Sequence, residues 1–327
     1  MVAAFCLMVT QSSLFTLFIR SFKMPQLKVL RIEPASNCNL ACIHCPTGTV
    51  DMARGIMSNE VFEKVLENLS KYKEEIEIIV LYHGGEPLLN KSLFEMICAI
   101  KKIKPFFVKI VSNGMLLNES KCKQLLATPL DLIEFSLDGL DESENQQIRI
   151  NSSTSVVINN ISFFLKLRKE LAHPVKVAIS TTQFLNNDKL KIISADKEIQ
   201  PEIPQWLLEV FEDAVDEFKP TYAMLWPHMN VSNDFEVREV NGVDLAHCDH
   251  INSTMTIRAD GTIVPCCYDL TTQLPMGNIL LDDLKELFMG GGSYTQLRTA
   301  IATKSYPSLC ANCNVVRPNK FLIPKWR

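Results

Sequence analysis

Apolar and polar positions alternate along the chain in blocks that predict strands and helices in turn. An apolar run with Leu27, Val29, Leu30 and Ile32 reads as a first strand. Ser58 is a good N-cap for a helix whose apolar face is Val61, Phe62, Val65, Leu66 and Leu69. Residues 76–82 run almost unbroken through Ile, Val and Leu, the pattern of a strand buried on both faces. Helices are predicted over 92–102, 119–126 and 156–171, and strands over 106–111, 132–137, 175–181 and 222–226. Most of these strands finish in polar or Gly-rich residues, which places a site along the carboxyl edge of a parallel sheet. Six such units predict an α/β fold, a partial (β/α)6 barrel left open on one side. Residues 194–220 carry eight acidic side chains with Pro201 and Pro204, and read as one long solvated surface helix.

With 327 residues and 47% hydrophobic content, the chain can bury a substantial core. The net charge of -4 gives no footprint for a polyanion, so nucleic acid is excluded as the main substrate. Eleven cysteines are too sparse for a disulfide scaffold, and several fall in C-x-x-C spacings, the pattern of metal thiolates in a reducing cytoplasm. Residues 1–19 are apolar and uncharged, but polar residues at 10–13 interrupt them, and no basic region or cleavage site accompanies them. Residues 1–23 are read as an over-long start or a loosely packed extension, with a membrane anchor disfavoured.

The most informative stretch is Cys38-Asn-Leu-Ala-Cys42-Ile-His-Cys45, spaced C-x3-C-x2-C directly after the first strand. Three thiolates on a four-iron cubane leave one iron open to a substrate or cofactor. A zinc knuckle would want a fourth ligand, and only His44 is nearby. This spacing resembles the signature of the radical S-adenosylmethionine (SAM) superfamily, whose fold is a partial TIM-like barrel. The later strand ends extend the resemblance. Gly84-Gly85-Glu86 is similar to the superfamily's GGE motif, in which main-chain carbonyls meet the SAM amino group. Ser112-Asn113 and Ser136-Leu-Asp138 match strand ends that contact the ribose, Arg149 matches the arginine of the SAM carboxylate, and His44 stands where a residue lies beside adenine. The resemblance implies reductive cleavage of SAM to a 5′-deoxyadenosyl radical, which takes a hydrogen atom from substrate.

A second set, Cys248, Cys266, Cys310 and Cys313, supplies four thiolates, enough to close a second cubane. A zinc ribbon is the competing reading, since zinc also uses C-x2-C halves. The surrounding residues resemble the C-terminal SPASM/twitch extension, in its shortened form with one auxiliary 4Fe-4S cluster, and Cys267 is left spare beside Cys266. The expected domains are an extension over 1–23, a barrel over 24–235 and an auxiliary-cluster domain over 236–327. Tyr222, Trp226, His228 and Asp269 are weaker candidates for the cavity between barrel and extension, while Cys6, Cys98 and Cys122 read as packing residues.

These readings lead to a cytoplasmic radical SAM oxidoreductase or maturase that uses SAM and two 4Fe-4S clusters. Its substrate is a small molecule or a peptide, and its electron donor a flavodoxin or ferredoxin. The short stretch before the first strand leaves no room for a leader-binding module, which shifts weight toward a small molecule or a separately recruited peptide. The reading from another class is a non-catalytic iron-sulfur or zinc protein that binds a partner.

Overall fold

The computed structural model describes residues 24–194, 200–240 and 242–326, so the expected N-terminal extension lies outside the described residues. Six parallel strands follow one another in chain order: β1 (Val29–Ile32), β2 (Ile78–Leu81), β3 (Phe107–Ser112), β4 (Leu132–Ser136), β5 (Lys176–Gln183) and β6 (Glu217–Tyr222). The crossover helices include Asn59–Lys71, Leu93–Ile103, Glu119–Leu125 and Thr154–Glu170. Ser58 caps the first of these by accepting a hydrogen bond from Val61 N, and Val65 and Leu69 on its inner face are fully buried. The outward-facing strand residues Leu30, Ile32, Ile79, Ile110 and Ile133 are wholly buried under the helices, each contributing roughly 1.5–3 kcal/mol by its removal from water. The fold is the expected α/β barrel segment.

Two expectations in the 194–222 region are corrected. The sixth strand lies at Glu217–Tyr222 instead of 222–226. It is the edge of the sheet, so its sequence carries charges and tolerates Pro220, whose missing N–H would interrupt an inner strand. The predicted long surface helix is replaced by a seven-residue helix, Gln205–Phe211, which begins after Pro204 and buries Leu207 and Phe211.

After β6 the chain forms β7 (Phe235–Glu239), β8 (Thr254–Ile257), β9 (Thr262–Val264), β10 (Gly277–Asn278) and β11 (Lys320–Pro324). β8 pairs in parallel with β1 and continues the barrel sheet on its free side, with β9 and β10 added antiparallel beyond it. Among the described residues the sheet therefore runs β10-β9-β8-β1-β2-β3-β4-β5-β6 without a break. β7 and β11 form a separate antiparallel pair.

One carboxylate fastens this junction. Glu33, fully buried just past β1, accepts hydrogen bonds from Gly84 N (2.9 Å) and Ala259 N (3.1 Å) and pairs with Arg258 Nε at 3.4 Å. It thus holds the turn after β2 and the segment after β8 to the end of β1. Glu33→Ala removes the partner of a buried guanidinium and should lower the unfolding free energy by about 3–5 kcal/mol. Urea denaturation measures this, and a loss below about 1 kcal/mol would contradict the role given to Glu33.

Candidate functional site

The carboxyl ends of the barrel strands open into a cavity of about 490 Å³. Cys38, Cys42 and Cys45 line it as free, half-buried thiols. Their loop is shaped by its own backbone, with Cys45 N donating to Cys42 O and Gly48 N to Cys45 O. Ala41 N and Ile43 N donate to Ile150 O and Ile148 O, so the loop is laced to the segment carrying Arg149, and that guanidinium comes to face Cys42.

Gly84 and Gly85 follow β2 and face the same loop. A Cβ on Gly85 would stand 2.2 Å from Ala35 O and 2.3 Å from Asn37 O, so only glycine permits this approach. Glu86 N donates to Asn37 O, while Thr47 Oγ1 donates to Gly84 O. The Glu86 side chain is buried and wholly engaged, accepting from Leu88 N, Ser112 Oγ and Asn113 N. Burial raises its pKa, against these donors. Glu86 therefore ties the end of β2 to the end of β3 through its carboxylate. Asn113 reaches back to the cysteine loop, donating to Asn39 Oδ1 at 2.9 Å. Ser136 lies half-buried on the cavity wall beside Ser180.

Asp138 stands apart from the other predicted contacts. Its Oδ1 accepts from Thr182 N at 2.9 Å and its Oδ2 lies 2.8 Å from Arg149 Nε and 3.6 Å from His44 Nε2. It is 1% exposed and behind the cavity wall, where it holds Arg149 in place. His44 is half-buried and packs edge-on against Phe184, and desolvation pushes its imidazole pKa down.

Cys248, Cys266, Cys310 and Cys313 are each 7–8% exposed and near enough to one another to interact electrostatically. Burial pushes the Cys42 and Cys310 thiols up to about 12 and Cys313 to about 11, so loading a metal group must displace protons. Cys267 lies near Cys248 and Cys313 and also lines the cavity together with Tyr268. Among the described residues no three Cys, His, Asp or Glu side chains converge on a single metal ion. The donor sets suit larger thiolate-held groups: three soft sulfurs facing an open cavity, and four in a closed one.

Of the weaker candidates, Tyr222 and Trp226 line the cavity, Trp226 stacking on Tyr268 at 5.1 Å. His228 and Asp269 do not. His228 lies 3.4 Å from Ser308 Oγ, and Asp269 is fully buried, capping the turn at Gln273 N and Leu274 N. Cys122 is buried in the main core and Cys98 is half-buried on its helix, as packing residues; Cys6 lies outside the described residues.

Sequence reasoning missed the barrel lumen. Arg31, Tyr82, Lys109, Glu134 and Lys219 all line the cavity. The signal was present in the Glu inside Leu132-Ile-Glu134-Phe-Ser136, a charge in an otherwise apolar strand.

Two family models match the chain: the radical SAM superfamily over residues 32–176, and the iron-sulfur cluster-binding SPASM domain over 248–314. The chain is a member of the radical SAM superfamily with a C-terminal SPASM domain. With these domains come a SAM-binding 4Fe-4S cluster and an auxiliary iron-sulfur cluster. A tungsten-containing aldehyde ferredoxin oxidoreductase cofactor-modifying protein of Pyrococcus furiosus is 24% identical over 319 residues, 88% of each chain. Among solved structures, BtrN in complex with AdoMet and 2-DOIA shares the fold (TM-score 0.56, 17% identity, 89% of this chain and 94% of that one). Streptococcus suis SuiB bound to its precursor peptide SuiA does so as well (TM-score 0.60, 15% identity, 94% and 73%).

Burial raises the Glu134 carboxyl, but the ammoniums of Lys109 and Lys219 outweigh it and hold its pKa below the ordinary value. A depressed native pKa gives stability that is complete above the unfolded value of about 4.3 and is lost as pH falls through the native one. The advantage of the wild type over Glu134→Gln should therefore shrink on acidification in urea titrations from neutral to strongly acidic pH. A constant difference would contradict the pairing.

Proposed function

We propose that this chain reductively cleaves S-adenosylmethionine to a 5′-deoxyadenosyl radical and oxidatively modifies a small molecule or a peptide, with an auxiliary 4Fe-4S cluster accepting an electron. The observation that carries this reading is the convergence of Cys38, Cys42, Cys45, Gly85 and Arg149 on one cavity that Cys267 and Tyr268 of the SPASM region also enter.

In this reading Cys38, Cys42 and Cys45 hold the catalytic cluster, and Cys248, Cys266, Cys310 and Cys313 the auxiliary one. Cys266 is chosen over Cys267 because it is buried with the other three. The clusters and SAM, when bound, supply one-electron chemistry and a carbon-centred radical. The chain's own residues supply position and dryness. Gly84 and Gly85 bring backbone carbonyls close to the cysteine loop for the SAM amino group. Arg149 meets the SAM carboxylate with a fork-shaped donor, its charge maintained by Asp138. Asn113 and Ser136 face the ribose, while Asp138 acts through Arg149 and leaves the ribose to them. His44, whose lowered pKa favours the neutral imidazole, would lie beside the adenine. Phe184, Phe235 and Trp326 pack into an aromatic cap behind His44 that keeps water from this side.

For the substrate, SuiB bound to the peptide SuiA and anSMEcpe bound to the Kp18Cys peptide, the latter matched over 89% of its own length, support a peptide, whereas BtrN, whose structure holds 2-DOIA, supports a small molecule. The Pyrococcus relative, named for modifying a cofactor, points the same way. Both support a small molecule, with peptide maturation as the second reading because SuiB and anSMEcpe share the fold. A flavodoxin or ferredoxin in the cytoplasm would provide electrons; among the described residues no helix is long and apolar enough to cross a membrane.

Anaerobic reconstitution should load about eight irons and eight sulfides per chain, and reductant plus SAM should yield 5′-deoxyadenosine even without substrate. Cys38→Ala should abolish the product. The Cys310→Ala/Cys313→Ala double variant should retain it at about half the iron content. Absence of 5′-deoxyadenosine from the fully loaded wild type would overturn the proposal.

A further inference from the structure

A closed parallel barrel fills its lumen with branched apolar side chains. Here the middle of the lumen is charged. Glu134 Oε2 lies 2.7 Å from Lys109 Nζ and 3.0 Å from Lys219 Nζ, so one carboxylate is shared by two ammoniums. Lys219 reaches a second acid only at the exposed rim, Glu217 at 3.3 Å. Each ammonium has three donors, and these contacts leave several unused.

Arg31 is the more telling residue. It lines the same cavity, yet among the described residues it has no carboxylate at ion-pair distance, and its Nε is buried without a hydrogen-bond partner. The β ladders explain why. Arg31 is flanked by Val80 on β2 and Thr256 on β8, neither an acid, and Lys109 comes next beyond Val80 in the same register. Residues paired across a ladder face the same side of a sheet, so Arg31 and Lys109 present two cations to one space with only Val80 between them. A guanidinium is always charged, and a buried donor without an acceptor is costly, so this arrangement is complete only when an anion enters.

We propose that Arg31, Lys109 and Lys219 form an anion subsite in the barrel lumen, and that the substrate carries a phosphate or carboxylate group bound there. This rests on the reading of the cavity as a SAM-dependent active site and specifies its substrate class. The three cations lie on the strands themselves, one layer before the strand ends that carry the cysteine loop, Gly84 and Ser112. An anion held there leaves the rest of the molecule to extend upward toward Cys38, Cys42 and Cys45. Glu134 is a positioning residue, keeping the two lysine heads together. Arg31 also stands near Tyr82, Cys267 and Tyr268, at the seam between barrel and SPASM region, so an anion bound to it touches both.

The test is titration calorimetry of the reconstituted, SAM-loaded protein with inorganic phosphate and with acetate, chloride keeping the ionic strength constant. Saturable binding of at least one anion is expected. Tighter phosphate binding assigns a phosphate ester, and tighter acetate binding a carboxylate. Arg31→Gln should weaken binding roughly tenfold or more, the loss of a charge-assisted hydrogen bond, with Arg31→Lys intermediate and the exposed Lys166→Gln unchanged. Lys219→Gln provides an independent arm should Arg31→Gln fail to fold, and should weaken binding as well. The proposal is overturned if the wild type binds neither anion, or if well-folded Arg31→Gln and Lys219→Gln bind like the wild type. It is also overturned if Arg31→Gln leaves anion binding intact and shifts only the auxiliary cluster's potential. Loss of 5′-deoxyadenosine formation in the wild type would instead sink the enzyme reading, and leaves the anion titration readable.

Discussion

The buried carboxylate of Glu33 is the constraint on which the arrangement of the site depends. A fully buried acid is stable only when its oxygens are engaged, and Glu33 engages them with Gly84 N, Ala259 N and Arg258. Those partners come from the turn after β2 and the segment after β8, within the SPASM region. The same residue therefore fixes the glycine turn against the cysteine loop and fixes the SPASM region against the barrel. The parallel pairing of β1 with β8 makes the junction a continuation of one sheet, so the two cysteine sets are placed by backbone ladders and not by a flexible linker.

Glu86 and Asp138 repeat the device along the rim. Glu86 binds the end of β2 to that of β3, and Asp138 binds the end of β4 to that of β5 while orienting Arg149. Three buried acids thus tie the ends of β8, β1, β2 and β3 together, and those of β4 and β5, into a collar interrupted between β3 and β4. A collar of this kind is what radical chemistry requires, because the hydrogen atom to be taken must be held within a short, fixed reach.

Much of this was legible in the sequence, for physical reasons that also explain the failures. Cys38, Cys42 and Cys45 could be read because metal ligands on one loop are constrained by local spacing. The strand ends could be read because an apolar run that stops at Gly84 or Gly139 leaves little else for the chain to do. The lumen could not. Lys109 and Glu134 sit in strands whose other face is buried under helices, and periodicity does not reveal that the inner face encloses an open, charged space. β6 was displaced by five residues because an edge strand needs no apolar run. Asp138 and Asp269 satisfy backbone N–H groups instead of facing ligands, Asp138 that of Thr182 on the next strand and Asp269 those of Gln273 and Leu274 in its own turn.

The central claim is that the open thiolate set at Cys38, Cys42 and Cys45 presents SAM with a coordination site while the four-cysteine set does not. Electron paramagnetic resonance of the reduced, reconstituted protein, recorded with and without SAM, tests it directly. Two overlapping cluster signals are predicted, of which SAM perturbs one, and the perturbed signal should persist in a Cys310→Ala/Cys313→Ala variant and vanish in Cys38→Ala. A spectrum that SAM leaves unchanged, or a perturbation that disappears with Cys310 and Cys313, would contradict the account.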